Sequence, residues 1–184
     1  MRNYEYCAYT YRHREAIKYL INKIIKDEKT KEKMLRRAEY HDLDKLVLYQ
    51  FLEHEESHNY HRQTQPHHME NNLEKSYYDK LEAILDYESA GYTKPDKPLN
   101  AWDFLMKRPD KFKKDEYEDL LQICRDLGID KSYPVTDDKE GMEYLKKFET
   151  VTEEMITYEI LHYVSRIANN SFENFAERIK QSLH

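Results

Sequence analysis

AEYHDLDKL, residues 38–46, closes a helical pattern by setting a histidine beside an aspartate, with a lysine four positions after the histidine. Met34, Leu35 and Ala38 form the apolar side of that pattern. If one helix runs over about 31–46, positions 41, 42 and 45 continue the same side. His41, Asp42 and Lys45 then point inward, where leucine would be the ordinary choice. An inward carboxylate costs several kcal/mol unless a positive group meets it. A divalent metal with neutral imidazoles as companion ligands meets it best. The stretch therefore predicts a helical bundle closed around an ion.

Further candidates lie on both sides of it. A first helix over about 11–27 carries Ile17, Leu20, Ile21, Ile24 and Ile25 at core spacing, and His13 projects from the same face. A third helix over 47–60 brings His54, His58 and His61 to i, i+4 and i+7. The glutamates around His54 and His58 suggest a solvated face for those two. Pro66 disfavours helical geometry at Gln65, so a long helix is expected from His67 to Ala90, with His67 and His68 at its start. Glu82 and Asp86 share one face of that helix, opposite Leu73, Tyr77, Leu81 and Ile84. They either meet the ion or form a solvated stripe with Asp79. Lys45 could equally pair with Asp42 or Glu39. Tyr4, Tyr6, Tyr9 and Tyr11 either pack over the site or belong to a loose arm.

Gly91 and Gly128 stand where helices would end in a left-handed residue. GYTKPDKPLN, residues 91–100, reads as a loop, after which Asn100 and Asp103 cap a short helix on Trp102 and Phe104. Helices follow over about 115–127 and 138–148. Thr150 and Glu153 form a capping box for a helix on Ile156, Ile160, Val164 and Ile167, with His162 off that stripe and exposed. Ser171 caps a last helix. With no alternating β-branched segment, the fold class is all-α, a single-domain helical bundle over residues 1–184. Residues 1–108 hold the metal-site half. Residues 109–184 complete the core or offer a homodimer face through Phe172 and Phe175.

Composition sets the function classes. The net charge of −6 argues against a broad nucleic-acid surface, although a small phosphate ester can still bind through metal ions. Of the residues 36% are charged and 39% apolar, and 17 tyrosines supply hydroxyls that need partners when buried. Two distant cysteines, Cys7 and Cys124, suggest reduced thiols and a cytoplasmic setting. No signal-like apolar run and no membrane-length segment is present in the sequence.

The order of a helical His13, HDLDK at 41–45, His61, QPHH at 65–68 and EAILDY at 82–87 resembles the HD phosphohydrolase superfamily. It is most similar to a small bacterial and phage branch with HD-x-S-K, N-x-H-H and E-x-x-x-D-W. Asp44, Gln65 and Tyr87 depart from that pattern, standing for Ser, Asn and Trp; Asp44 adds negative charge that could oppose a phosphate. The resemblance implies an all-α metal-dependent enzyme that hydrolyses a small phosphorylated substrate, a nucleotide above all. It implies a first divalent metal on His13, His41, Asp42 and Asp86. A second would be bridged by Asp42 and completed by His61 and one of His67 or His68. Mn, Mg, Zn, Fe, Co and Ni all stay open. Lys45 would meet a phosphoryl oxygen and Glu82 would orient a ligand or water. The alternatives are an HD-type di-iron oxygenase, and a non-catalytic nucleotide-binding or structural protein of phage or mobile-element origin.

Overall fold

The helix expected over 31–46 breaks at its polar stretch. A computed structural model describes residues 1–94, 96 and 99–182, with side chains described up to Ser171. In it α2 spans Glu28–Ala38, α3 spans Leu43–Phe51, and a turn at 39–42 joins them. Asp42 sits in the left-handed region at φ 59° and ψ 8°, a conformation aspartate visits more readily than most residues. His41 and Asp42 thus enter the interior from a turn instead of along a helix stripe.

Other boundaries also move, each for a local reason. Helix α1 spans Tyr4–Ile24, so the alternating tyrosines belong to it and are not a loose arm. Asn3 ties its start to α3, donating from Nδ2 to Tyr49 O at 2.9 Å and Leu52 O at 3.2 Å. The expected helix over 47–60 is two, because a capping box of Glu53 and Glu56 starts α4 at His54–Thr64. The long helix begins ten residues later than expected. Residues 65–76 are turn and loop, and a Ser76–Asp79 capping box opens α5 at Tyr77–Thr93. Leu73 and Tyr77, expected on its buried stripe, are exposed.

Gly91 lies inside α5 and not past its end. A Cβ there would come within 2.5 Å of Val135 Cγ2 and 2.6 Å of Leu99 O, so close packing explains this glycine. Gly128 does end a helix, at φ 71°, after α7 at Lys114–Leu127. Asn100 caps α6, Ala101–Lys107, by accepting from Asp103 N at 2.9 Å. Helix α8 spans Lys139–Lys146 and α9 spans Glu153–Ser182. The cap of α9 is Thr152, whose Oγ1 accepts from Met155 N at 3.2 Å, and Thr150 plays no part in it. Helix α9 runs straight through Ser171, which therefore caps nothing. Ile156 is buried, whereas Val164 and Ile167 on the same stripe are about half exposed. His162 is exposed, as its place off the stripe predicts. The side chains of Phe172 and Phe175, and Pro95, Lys97 and Pro98 of the GYTKPDKPLN loop, lie outside the described residues.

Among the described residues there is no strand, and the fold is an all-α bundle. None of its helices is long and apolar enough to cross a membrane. Helix α1 is its axis, packing against α2, α3, α5, α8 and α9. The larger core gathers Ile17, Leu20, Ile21, Leu81, Ile84 and Leu120 with their neighbours. A smaller one joins Cys7 and Ala8 to Leu43, Leu46, Val151 and Ile156. His13 lies on α1 between the stretches that feed these two cores.

Candidate metal centre

Asp42 Oδ1 is the point on which the buried imidazoles converge. His61 Nε2 lies 2.9 Å from it, His41 Nε2 3.5 Å and His67 Nε2 3.7 Å. The His68 ring sits 4.8 Å from that of His61 and 4.5 Å from that of His67, centre to centre. Beside this group His13 Nε2 is 2.7 Å from Asp86 Oδ1. Every one of these residues except Asp86 is buried, and the Asp86 side chain is only 18% exposed. The Nε2 atoms of His41, His61, His67 and His68 and the Oδ1 of Asp42 are buried without a hydrogen bond of ordinary geometry among the described residues. Buried polar atoms are rarely left so, and three imidazole nitrogens within 3.7 Å of one carboxylate oxygen, with the His68 ring beside them, fit the donor set of a cation.

The opposite edges of the rings are held. His41 Nδ1 is 2.8 Å from Glu82 Oε1, and His61 Nδ1 is 2.9 Å from Asp44 Oδ2. His13 Nδ1 faces Ser89 Oγ at 3.2 Å. Arg37 secures Glu82 in turn, donating from Nε at 2.7 Å, and also pairs with Asp79. A carboxylate on one ring nitrogen fixes the tautomer that presents the other to a metal. Three groupings keep their ligand atoms within 4.8 Å of one another: His13, His41 and Asp42; His41, His67 and Asp86; and His61, His67 and His68. These buried histidines and aspartates can hold a metal ion.

Most of the expected candidates therefore meet, some by unexpected routes. Glu82 and Asp86 face inward with Ser89, because α5 is covered on both sides. His67 and His68 arrive on the loop after Pro66 and not on a helix start, and both turn in. Asp44 faces the rear edge of the His61 ring. It accepts from Gln65 Nε2 at 3.1 Å and braces His61, so two of the departures from the HD pattern contact each other. Lys45 Nζ lies 2.7 Å from Asp42 Oδ2 while lining the cleft above it. His54 and His58 are half-buried in the cleft wall, not solvated; His54 stacks on Tyr6 with centroids 3.9 Å apart. Arg37 and Ser89 were missed. The 82, 86, 89 spacing on α5 carried the signal for Ser89, whereas no local pattern marks Arg37.

The electrostatics match this geometry. Burial works against the Asp42 carboxylate, but His41, Lys45 and His61 beside it hold it well below its ordinary range. Burial likewise opposes Asp86, and the hydrogen bond and charge of His13 reverse the effect, keeping it ionised. Glu82 is buried too, yet its hydrogen bond to His41 with the His67 and Arg37 charges lowers it to about 2. Burial and the nearby His67 push His68 down to about 2, so it is neutral, the form that ligates. His58 is lowered to about 4 by burial and by the charges of Lys45 and Arg62.

A cleft of about 730 Å³ opens over Asp42, His13 and Asp86. Tyr6, Tyr9 and Tyr49 form part of one wall, and Tyr87, Phe104 and Phe112 form another, with the Tyr87 and Phe104 rings 4.4 Å apart. Lys94 sits over the Tyr9 ring and Lys111 over the Phe104 ring, so cations and aromatic faces alternate at the rim. The volume suits a ligand of mononucleotide size. No family model, curated protein or solved structure matches this chain.

Proposed function

We propose that this chain is a metal-dependent phosphohydrolase of the HD type, acting on a nucleotide or another small phosphate ester. One observation carries the reading. The buried Nε2 atoms of His41, His61 and His67 converge on Asp42 Oδ1, with the His68 ring beside them, beneath a cleft of ligand size, while carboxylates brace the far edges of His41 and His61. The same order of residues resembles the HD superfamily. Imidazole-rich donors with two carboxylates favour Mn, Fe, Co, Ni or Zn over Mg.

His13, His41, Asp42 and Asp86 would hold one ion, and His61, His67 and His68 with Asp42 a second. Bound there, a metal acidifies water and polarises a phosphoryl oxygen. The chain supplies the remainder. Lys45 stands at the cleft floor, where burial opposes its charge but Asp42 and Asp86 raise its pKa above the ordinary value. It therefore stays an ammonium and can neutralise charge gathering on a phosphoryl oxygen. Glu82 keeps His41 pointed at Asp42, and Arg37 keeps Glu82 in place. The aromatic walls exclude water and hold the organic part of the ester.

The test is elemental analysis of the purified chain, followed by a screen of nucleotides and simple phosphate esters with wild type and Asp42→Asn. Asparagine tolerates the left-handed backbone at this position, so it removes the charge with little strain. The expected result is bound transition metal in the wild type and hydrolysis lowered about 100-fold or more in the variant. A metal-free wild type that hydrolyses nothing refutes the reading. Iron that consumes O₂ without phosphate release moves the chain to the oxygenase alternative.

A further inference from the structure

The histidine cluster has a second face. A pocket of about 660 Å³ reaches it at His41, His67 and Glu82, whereas Asp42, His13 and Asp86 open onto the aromatic cleft. This rear pocket thus reaches the cluster from the side of Glu82, while Asp42 belongs to the lining of the other cleft. Its cations are Lys33, Arg36 and Arg37 from α2 and Arg166 from α9, against the carboxylates Glu39 and Glu82. Four cations to two carboxylates is a local excess in a chain whose net charge is −6.

Those cations are only partly neutralised. Lys33 Nζ lies 3.5 Å from the Tyr78 ring centre, and the Arg166 guanidinium lies 4.0 Å from that of Tyr40. Neither pairs with a carboxylate among the described residues. Among the described residues Arg36 pairs only with Glu32, one turn back on its own helix and largely exposed. Arg37 spends Nε and Nη2 on Glu82 and Asp79, and its Nη1 makes no hydrogen bond among the described residues. Aromatic faces therefore orient Lys33 and Arg166 without cancelling their charge. Guanidinium forks on α2 and α9, with an ammonium beside them, suit an anion that has oxygens on several sides.

We propose that this rear pocket is a binding site for a small phosphate-bearing anion, separate from the cleft over Asp42. The inference stands independently of the hydrolase reading, since it requires neither metal nor turnover. Its test is calorimetric titration of pyrophosphate into the full, chelator-treated chain at low salt. Arg36→Gln/Arg166→Gln changes two exposed side chains and spares Arg37, whose loss would strand Glu82 and Asp79. Lys94→Gln/Lys111→Gln removes two cations of the opposite cleft as a control, and helical circular dichroism verifies that both variants fold. The expected result is one saturable site, weakened about tenfold or more in the arginine variant and changed less than about twofold in the lysine variant. No saturable binding to the wild type, equal weakening in both variants, or weakening in the lysine variant alone overturns the proposal.

Discussion

Asp44 shows how a substitution that looks adverse in the sequence becomes a brace in the fold. Read along the chain, its charge stands two residues from Asp42 and threatens a phosphate. Folded, it takes His61 Nδ1 at 2.9 Å and Gln65 Nε2 at 3.1 Å. Asp44→Ser restores the HD-x-S-K pattern but removes this brace. The expected outcome is metal affinity lower by about 10–100-fold with unchanged helix content, measured by competition with a chelating dye. The identities His13, His41, Asp42, His61, His67, His68 and Asp86 were readable because few other reasons place so many imidazoles and acids in one half of a chain. The direction of each side chain was not. It depends on the left-handed turn at Asp42 and on partners far off in sequence, such as Arg37 for Glu82.

Helix α5 brings Glu82, Asp86 and Ser89 to the site, and its far end is pinned where Gly91 meets Val135 and the Leu99 carbonyl. Gly91→Ala forces a methyl against backbone, which does not yield as a flexible side chain would. A stability loss of about 1–3 kcal/mol in urea denaturation is expected, accompanied by reduced metal content as the helix shifts. Helix α8 is docked through Asp138, which caps it by accepting from Gly141 N and also receives the hydroxyls of Tyr19 and Tyr92 and the ammonium of Lys23. Burial opposes that carboxylate, but Lys23, Tyr92 and Gly141 lower its pKa. A lowered folded pKa contributes stability that is present above the unfolded value, about 3.9, and fades as pH falls through the folded one. Stability of the wild type should therefore drop more steeply than that of Asp138→Asn below about pH 4, as followed by denaturant midpoints. Apolar periodicity located most of these helices, since it reports which face is buried. It misplaced the breaks at Asp42 and Glu53, the start of α5 and the cap of α9. Those depend on capping side chains and on tertiary contacts such as that of Asn3 with α3.

Across the molecule the described residues form two apolar cores with the histidine cluster beside the seam that His13 marks, and each core contains one thiol. Cys7 belongs to the cluster with Leu43, Leu46 and Tyr49, directly after the Asp42 turn, and Cys124 to the one with Leu120 and Ile123. Both are fully buried, and burial raises Cys7 to about 11 and Cys124 to about 12, so neither is a reactive thiolate near neutrality. Alkylation of either must wait for its surroundings to open. The chain thus carries two intrinsic clocks, one for each core, readable by mass spectrometry of iodoacetamide adducts. In a cation-loaded chain, stripping the cation should quicken modification of Cys7 more than that of Cys124, since the turn at Asp42 feeds directly into the smaller core.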